Sequence, residues 1–443
     1  MDTPAVPMPR DAREREILDT LVGIRDHLLL LKRDRTKYIR TQDVMLIYDQ
    51  VVEQVRRLNE IRKGERPGEN RLDKVLESCF QLLSLFFMTI GRTTEAPAAY
   101  ALTSTIKRLL DHLTESRLFS GKDLDSMAHT LSTLEDILSN TNEKHSPYMV
   151  ELLGNRERLC KESLDSLRTQ LAELDGPLRE VHEKLISILR SMSSANTKPK
   201  FSTNEVQKLQ AQLKEIDASR VDGAFRGPDG EPYKGSDKMS ELLDRVLKWS
   251  DIVLERKGAI PEGFKSVYEK LVSIRNELEK LSITQAWSLR ETDLYDYQRE
   301  LDKIDESRVN GNFIDEDGNP ADLYAQRTLL YLIRRSYGYI YYLMISSEPV
   351  SEALLPYYNQ LQTLKRCLVE VKNSGGVSSV RDLYPYSMKL NSIDNLRVDG
   401  KFMVGNDIPE GQGSVNELLA ECFDLAYELR IAVEDKPDKA DSE

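Results

Sequence analysis

The sequence predicts an all-α protein: a helical-repeat array of about five three-helix units, arranged as an α-solenoid or as tandem helical bundles, with hairpin-like loops in the last three units. Three observations predict it. Apolar residues recur at i, i+3, i+4 and i+7, as in Leu18, Leu21, Val22, Leu28 and Leu29, or Leu242, Leu243, Val246 and Leu247, which is the period of a helix with one buried face. A ten-residue loop recurs three times. A helix signature upstream of it recurs five times at a similar spacing.

The loop reads Ile216-Asp-Ala-Ser-Arg-Val-Asp-Gly-Ala-Phe225, then Ile304-Asp-Glu-Ser-Arg-Val-Asn-Gly-Asn-Phe313, then Ile393-Asp-Asn-Leu-Arg-Val-Asp-Gly-Lys-Phe402. The three isoleucines are 88 and 89 residues apart. Upstream, Val181-His-Glu-Lys-Leu-Ile-Ser-Ile188 matches Val267-Tyr-Glu-Lys-Leu-Val-Ser-Ile274, and weaker copies put anchors at Ile24, Ile106 and Leu364. Pro97, Pro177, Pro261 and Pro349 precede four of the five copies, where a missing N–H costs a helix start nothing. A third element relates Val75-Leu-Glu-Ser-Cys-Phe80 to Leu418-Leu-Ala-Glu-Cys-Phe423. Capping boxes are expected at Ser202 with Glu205 and at Ser414 with Glu417. The expected division is a disordered N-terminal tail at 1–12, an N-terminal helical half at 13–192, a polar linker at 193–202 containing Pro199, a C-terminal half with the three loops at 203–433, and a disordered acidic tail at 434–443.

Composition excludes several function classes. A net charge of −12 argues against direct nucleic-acid binding and against docking on an anionic membrane. The longest apolar run, Leu82 to Ile90, is too short to span a bilayer, and Met1 to Arg13 has no signal-peptide core. Cys79, Cys160, Cys367 and Cys422 all fall in helical apolar patterns and form no CxxC, so buried, reduced thiols are expected. His27, His112, His129, His145 and His182 form no metal-binding spacing and read as core or surface residues. Asp315-Glu-Asp-Gly318 lacks the spacing of a calcium loop, and no glycine-rich phosphate motif occurs. No catalytic, cofactor-binding or metal residue is nominated.

Two sets of residues remain as candidates. The loops offer Arg220, Asp222, Gly223 and Phe225; Arg308, Asn310, Gly311 and Phe313; and Arg397, Asp399, Gly400 and Phe402. Structurally, each glycine would end a helix in the left-handed conformation, each Phe would tuck against the helices, and Asp217, Asp305 and Asp394 would pair with the arginines. Functionally, stacked units would line the loops along one edge, with Arg and backbone donors facing an acidic or phosphorylated partner. The second set is aromatic. Tyr331, Tyr339, Tyr342 and Tyr358, from a cluster that also holds Tyr337 and Tyr341, form either a wide helix interface or a groove rimmed by phenols. Trp249 and Trp287 read as interhelix packing, and Arg334-Arg335-Ser336 as a phosphorylation sequence in an apolar context.

The recurring Ile-Asp-x-Ser-Arg-Val-Asp-Gly-x-Phe loops at 216–225, 304–313 and 393–402 resemble those of a fungal family of uncharacterised helical proteins, a domain of unknown function present as repeated units. The resemblance extends over nearly the whole chain. It implies a cytoplasmic and nuclear protein and brings no active-site residues with it. The third copy departs from the pattern, with Leu396 where Ser219 and Ser307 stand in the others. The leading expectation is a non-enzymatic scaffold or adaptor that binds protein partners. The alternative is a binder of a small molecule or phospho-ligand, or an enzyme acting on one, with its site between the two halves or near the Tyr331–Tyr358 cluster.

Overall fold

The computed structural model describes residues 7–62, 70–140, 145–285 and 289–434. Fifteen α-helices lie among them and fall in successive threes. Unit 1 is α1 (Ala12–Arg33), α2 (Thr41–Arg62) and α3 (Arg71–Thr89); unit 2 is α4 (Ala99–Ser116), α5 (Gly121–Asn140) and α6 (Pro147–Ala172). Unit 3 is α7 (Gly176–Asn196), α8 (Thr203–Ala218) and α9 (Ser236–Arg256); unit 4 is α10 (Glu262–Lys280), α11 (Leu294–Glu306) and α12 (Leu323–Ile345). Unit 5 is α13 (Leu355–Asn373), α14 (Tyr384–Asp394) and α15 (Gln412–Glu434). The one two-stranded sheet among the described residues is the hairpin β1 (Arg397–Val398) and β2 (Lys401–Phe402).

Within a unit the first and third helices pack along one another. Three cysteines mark the repeat at atomic level. Cys79 of α3 donates to the Leu21 carbonyl of α1 at 3.6 Å, Cys160 of α6 to Thr103 of α4 at 3.7 Å, and Cys422 of α15 to Leu361 of α13 at 3.4 Å. Each acceptor lies three residues before a repeat anchor, Ile24, Ile106 or Leu364. Burial pushes these thiols up to about 12, 11 and 11, so they are protonated packing groups. Cys367 departs from the expectation: it is exposed on the outer face of α13.

Burial follows unit contacts in space, not the order of the chain. One core holds the apolar faces of units 1, 2 and 4, from Ile17 to Leu167 and again from Phe264 to Met344. Unit 3 closes a second core around Trp249, and unit 5 a third around Phe402. The array therefore folds back on itself, with α12 against α4 and α11 against α3. In the seam, Ser78 and Tyr295 share a 2.5 Å hydrogen bond, Tyr337 donates to Asp302 at 2.6 Å, and His112 meets Asp305 at 3.0 Å. Unit 3 is pinned to α12 through Asn196, which accepts from the Tyr324 hydroxyl at 2.8 Å and donates to Thr328 at 3.1 Å.

Several local expectations change. Residues 7–11, assigned by sequence to a disordered tail, are tied to two helix starts: the Pro7 carbonyl accepts the Arg71 N–H of α3 at 2.9 Å, and Asp11 caps α1, accepting the Arg13 N–H at 2.8 Å. The expected linker 193–202 begins inside α7, and Ser193 and Asn196 are buried. Ser202 does cap α8, accepting the Glu205 N–H at 3.3 Å. Ser414 caps nothing, because α15 already begins at Gln412. Residues 1–6 and 435–443 of the expected tails, and Trp287, lie outside the described residues.

A buried acid sits in the α10–α11 connection of unit 4. Glu291, in a short 3-10 turn before α11, accepts a 2.8 Å hydrogen bond from Ser347. Burial raises its carboxyl above the ordinary value of 4.5. Above that pH the unfolded chain has released this proton while the folded protein still holds it. Stability attributable to Glu291 therefore falls as pH rises from the ordinary glutamate value through the raised one. Glu291→Gln is expected to flatten this slope and to be more stable than the parent at pH 8, a comparison made by urea unfolding between pH 5 and 8.

Candidate ligand cleft and the three hairpins

The hairpins are built by turn chemistry. Helices α8, α11 and α14 end at Ala218, Glu306 and Asp394, before the repeated glycines are reached. The left-handed residues come in pairs instead: Asp222 (φ 52°) with Gly223 (77°), Asn310 (51°) with Gly311 (79°), and Asp399 (50°) with Gly400 (75°). Two consecutive positive φ angles define a type I′ turn, which Asp-Gly and Asn-Gly favour because it matches the twist of a hairpin. The expectation that these glycines end helices is thus corrected. They turn Val221 onto Ala224, Val309 onto Asn312, and Val398 onto Lys401.

Behind each turn the Phe is buried, as its spacing led one to expect: Phe225, Phe313 and Phe402 are at most 4% exposed. Its N–H is capped by a side chain near the next helix start, Ser236 at 2.7 Å, Gln326 at 2.9 Å and Gln412 at 2.9 Å. Each Arg bonds the Asp three residues back: Arg220 to Asp217, Arg308 to Asp305 and Arg397 to Asp394. Each also reaches a second group, Asp244 at 3.0 Å, Glu115 at 2.7 Å and Asn416 at 3.3 Å. These arginines fasten their own loops. The expected row of Arg donors is not what the hairpins present; their tips present Val221, Val309 and Val398, each more than half exposed.

The tyrosine set divides. Tyr331 and Tyr341 line a cleft of about 390 Å³. Tyr339 sits beside it, donating to Glu279 at 2.8 Å and accepting from Arg335 at 2.8 Å. Tyr342 is on the surface, and Tyr358 belongs to the unit 5 core. Tyr337 faces the opposite side of α12, buried on Asp302.

The cleft lies where units 2, 3 and 4 meet. Its apolar walls include Leu109 and Leu113 of α4, Met127 of α5, Ile186 and Leu189 of α7, and Trp249 of α9. Helix α12 forms one wall with Arg327, Tyr331, Arg334, Arg335, Gly338 and Tyr341, which recur at three- and four-residue steps and so share one face. A Cβ placed on Gly338 would meet nothing within 4 Å, so this glycine leaves the wall open.

Its electrostatics are one-sided. Arg190, Arg327, Arg334, Arg335 and Lys122 line the cleft, and Asp123 is the one carboxylate among the lining residues. Asp123 is committed to Arg190 and to Ser120, whose hydroxyl donates to it at 2.7 Å. Burial pushes the Asp123 carboxyl up, but those bonds outweigh it and hold the carboxyl below its ordinary value. The other arginines rest on neutral groups. Arg334 donates to the Ser116 hydroxyl at 2.8 Å, Arg335 stacks 4.3 Å over the Tyr339 ring, and Arg327 lies 5.4 Å from the Trp249 ring centre. Burial and then the Arg190 charge push Arg334 down to about 10; burial and then Arg245 lower Arg327. Such crowding of cations in a half-apolar cleft suits a ligand with an anionic head and an apolar body.

Sequence reading passed over Arg190 and Arg327, and saw Arg334 only as part of a phosphorylation sequence. Ser336 is fully buried, its hydroxyl bonded to the Leu332 carbonyl at 2.9 Å. The available signal was the charge itself: Arg327 and Arg334, seven apart, sit on a helix otherwise apolar enough for a core.

Fold and cleft together define a helical-repeat protein with a cationic, partly apolar cleft between its units. Residues 171–291 and 348–443, which contain the first and third hairpins, match a family described as protein of unknown function (DUF2408). A CUB1 family protein of Schizosaccharomyces pombe is 38% identical over 437 residues, covering 96% of this chain and 94% of its own length. Cu(2+) suppressing and bleomycin sensitive protein 1 of Saccharomyces cerevisiae is 37% identical over 511 residues, covering 97% of this chain and 92% of its own. The chain belongs to the CUB1 family. No solved structure matches it.

Proposed function

We propose that this protein binds a small amphipathic anion, phosphorylated or carboxylated at one end, in the cleft between units 2, 3 and 4. The observation that carries this reading is that Arg327, Arg334 and Arg335 converge there on neutral partners rather than carboxylates. Arginine held this way offers unspent donors to an oxyanion, while Leu189, Met127 and Trp249 take an apolar body. The budding-yeast relative is named for Cu(2+) and bleomycin. Among the described residues no three His, Cys, Asp or Glu side chains are grouped to hold a metal ion, so the reading is built on the cleft.

Titration calorimetry with decyl phosphate, against neutral decyl maltoside, tests it. The parent is expected to bind the phosphate at one site and the maltoside at least tenfold more weakly. Arg334→Gln is expected to lose about tenfold or more in affinity, the scale of one charged hydrogen bond. Gly338→Leu, which fills the cleft while replacing a glycine within a helix, is expected to abolish binding without loss of stability. Equal affinity of parent and both variants would end the proposal.

A scaffold role, the reading the sequence favoured, is supported by one surface feature, the exposed valine at each hairpin tip. Changing Val221, Val309 and Val398 together to Ser is expected to release a partner copurified from cells with the parent chain. Unchanged copurification would remove the hairpins from that role. Residence in cytoplasm and nucleus belongs to this same proposal and is checked by imaging a tagged chain.

A further inference from the structure

A second groove lies between α1 and α3 of unit 1 and α11 of unit 4. Its volume is about 440 Å³, and the buried Ser78–Tyr295 hydroxyl pair is part of its lining. Six cations line it: Arg25, Arg33, Arg71, Lys74, Arg299 and Lys303. Three carboxylates line it too, and all are already engaged. Asp26 lies 3.3 Å from Arg25. Asp296 accepts from Lys32 at 2.5 Å, a buried lysine that does not line the groove. Glu300 is held between Lys303, at 2.7 Å, and Lys270, also outside the groove. Two of the three negative charges are thus spent at least partly on outside cations.

The consequence falls on Arg33 and Arg299. Neither has an ion-pair or hydrogen-bond partner among the described residues, although the chain as a whole is acidic, at −12. Arg33 stands in the last turn of α1, and Arg299 in the middle of α11. Arg299 also lines the adjoining hollow beside Lys107, Arg108 and Arg156, but there the cations are matched by Asp111, Asp302 and Glu306. Lys74 lines both hollows and lies 3.8 Å from Glu77 and from Glu306, whereas Arg33 lines the first groove alone. This groove is distinct from the amphipathic cleft. It lies on the far side of the α4–α12 pair: Thr105 and Tyr337 line the adjoining hollow, while Leu109, Leu113 and Tyr341 line the amphipathic cleft.

We propose that the α1–α3–α11 groove is a separate site for a compact multivalent phosphate, with Arg33 and Arg299 as its principal contacts. Guanidinium groups without carboxylate partners offer forked donors to phosphate oxygens. Few apolar side chains line the groove, Leu29 and Val75 among them, so it lacks the wall an amphiphile needs. Its volume of about 440 Å³ favours a short, dense anion over an extended polymer.

The experiment is titration calorimetry of the full chain with inorganic tripolyphosphate, in 50 mM and 300 mM salt. Expected is one saturable site whose affinity falls at least tenfold at the higher salt. Arg33→Gln with Arg299→Gln is expected to weaken binding tenfold or more while leaving the thermal midpoint unchanged, since neither side chain holds a partner. Arg334→Gln is expected to leave it unaltered, which separates this site from the amphipathic cleft. No saturable binding, or equal binding by the double variant, would overturn the proposal. A thirty-nucleotide single-stranded DNA that binds tighter than tripolyphosphate and is lost in the double variant would overturn its ligand class.

Discussion

Replacing Glu352 by Ala is expected to destabilise the protein by about 3–5 kcal/mol, the cost of stripping one partner from a buried ion pair. Glu352 precedes α13, and its side chain is 12% exposed against 7% for Arg290. One carboxylate serves two units at once. Its two oxygens accept from Arg290 at 2.5 Å and 3.0 Å, and one of them also accepts the Ile39 N–H at 2.5 Å. Arg290 donates further to the carbonyls of Asp34 at 2.8 Å and Lys37 at 3.3 Å. The α1–α2 connection of unit 1, the α10–α11 connection of unit 4 and the start of unit 5 therefore converge on a single ion pair. Removing the carboxylate leaves a buried guanidinium and an unmatched backbone N–H. Removing both charges, as in Arg290→Met with Glu352→Leu, should cost much less, because the desolvation penalty goes with them. Urea unfolding of Arg290→Met, Glu352→Leu and the double variant measures the coupling. Proteolysis is expected to cut the single variants between residues 345 and 355 first. A midpoint shift for Glu352→Ala no larger than that for Glu421→Ala, which breaks the more exposed Lys365–Glu421 pair, would refute this role of the Arg290–Glu352 pair.

Phe402→Ala carries a comparable cost, about 3–5 kcal/mol, for a different reason. Phe402 is 1% exposed and stacks on Tyr357 with ring centres 5.3 Å apart. It is the apolar plug of a hairpin that has almost no sheet of its own, since β1 and β2 hold two residues each. A two-stranded ribbon of this length is not stable alone. The plug, the Arg397–Asp394 pair and the Gln412 cap hold it on unit 5. Val398→Ser at the exposed tip of the same hairpin should change stability by about 0.5 kcal/mol or less. Thermal unfolding of both variants tests the pair of expectations, and similar losses would mean that the Phe is not the anchor. The same contrast applies to Phe313 with Val309 and to Phe225 with Val221, so the repeat supplies internal replicates.

Part of the cleft's lining was legible beforehand. The sequence singled out the tyrosines of α12, and two of them, Tyr331 and Tyr341, line the cleft. Tyr342 and Tyr358 did not join it. Tyr342 follows Tyr341 by one residue, about 100° around a helix, and so faces water; Tyr358 sits on the far side of the Ser346–Leu354 connection in another core. The arginines that give the cleft its chemistry were opaque in sequence, because a lone Arg on an apolar helix looks the same whether its partner is a distant carboxylate or a serine hydroxyl. Arg334 meets Ser116, 218 residues away, and no local pattern encodes that meeting.

The sequence by itself determined what depends on neighbours along the chain. Helical periodicity set the helices, Asp-Gly and Asn-Gly set the hairpin turns, and the spacing of Phe225, Phe313 and Phe402 behind those turns set the plugs. These are effects of backbone torsion and of amphipathic faces a few residues apart, and they repeat wherever the residues repeat. Tertiary structure alone decided that unit 4 leaves the line and docks on units 1 and 2, that three arginines meet in one cleft on neutral partners, and that two more flank a groove whose acids hold other cations. Those outcomes depend on which apolar faces fit each other and on which opposite charges come within about 4 Å across hundreds of residues. The repeated segments carry the same local signals and differ in those surfaces, so the period could be read from the chain while the docking could not.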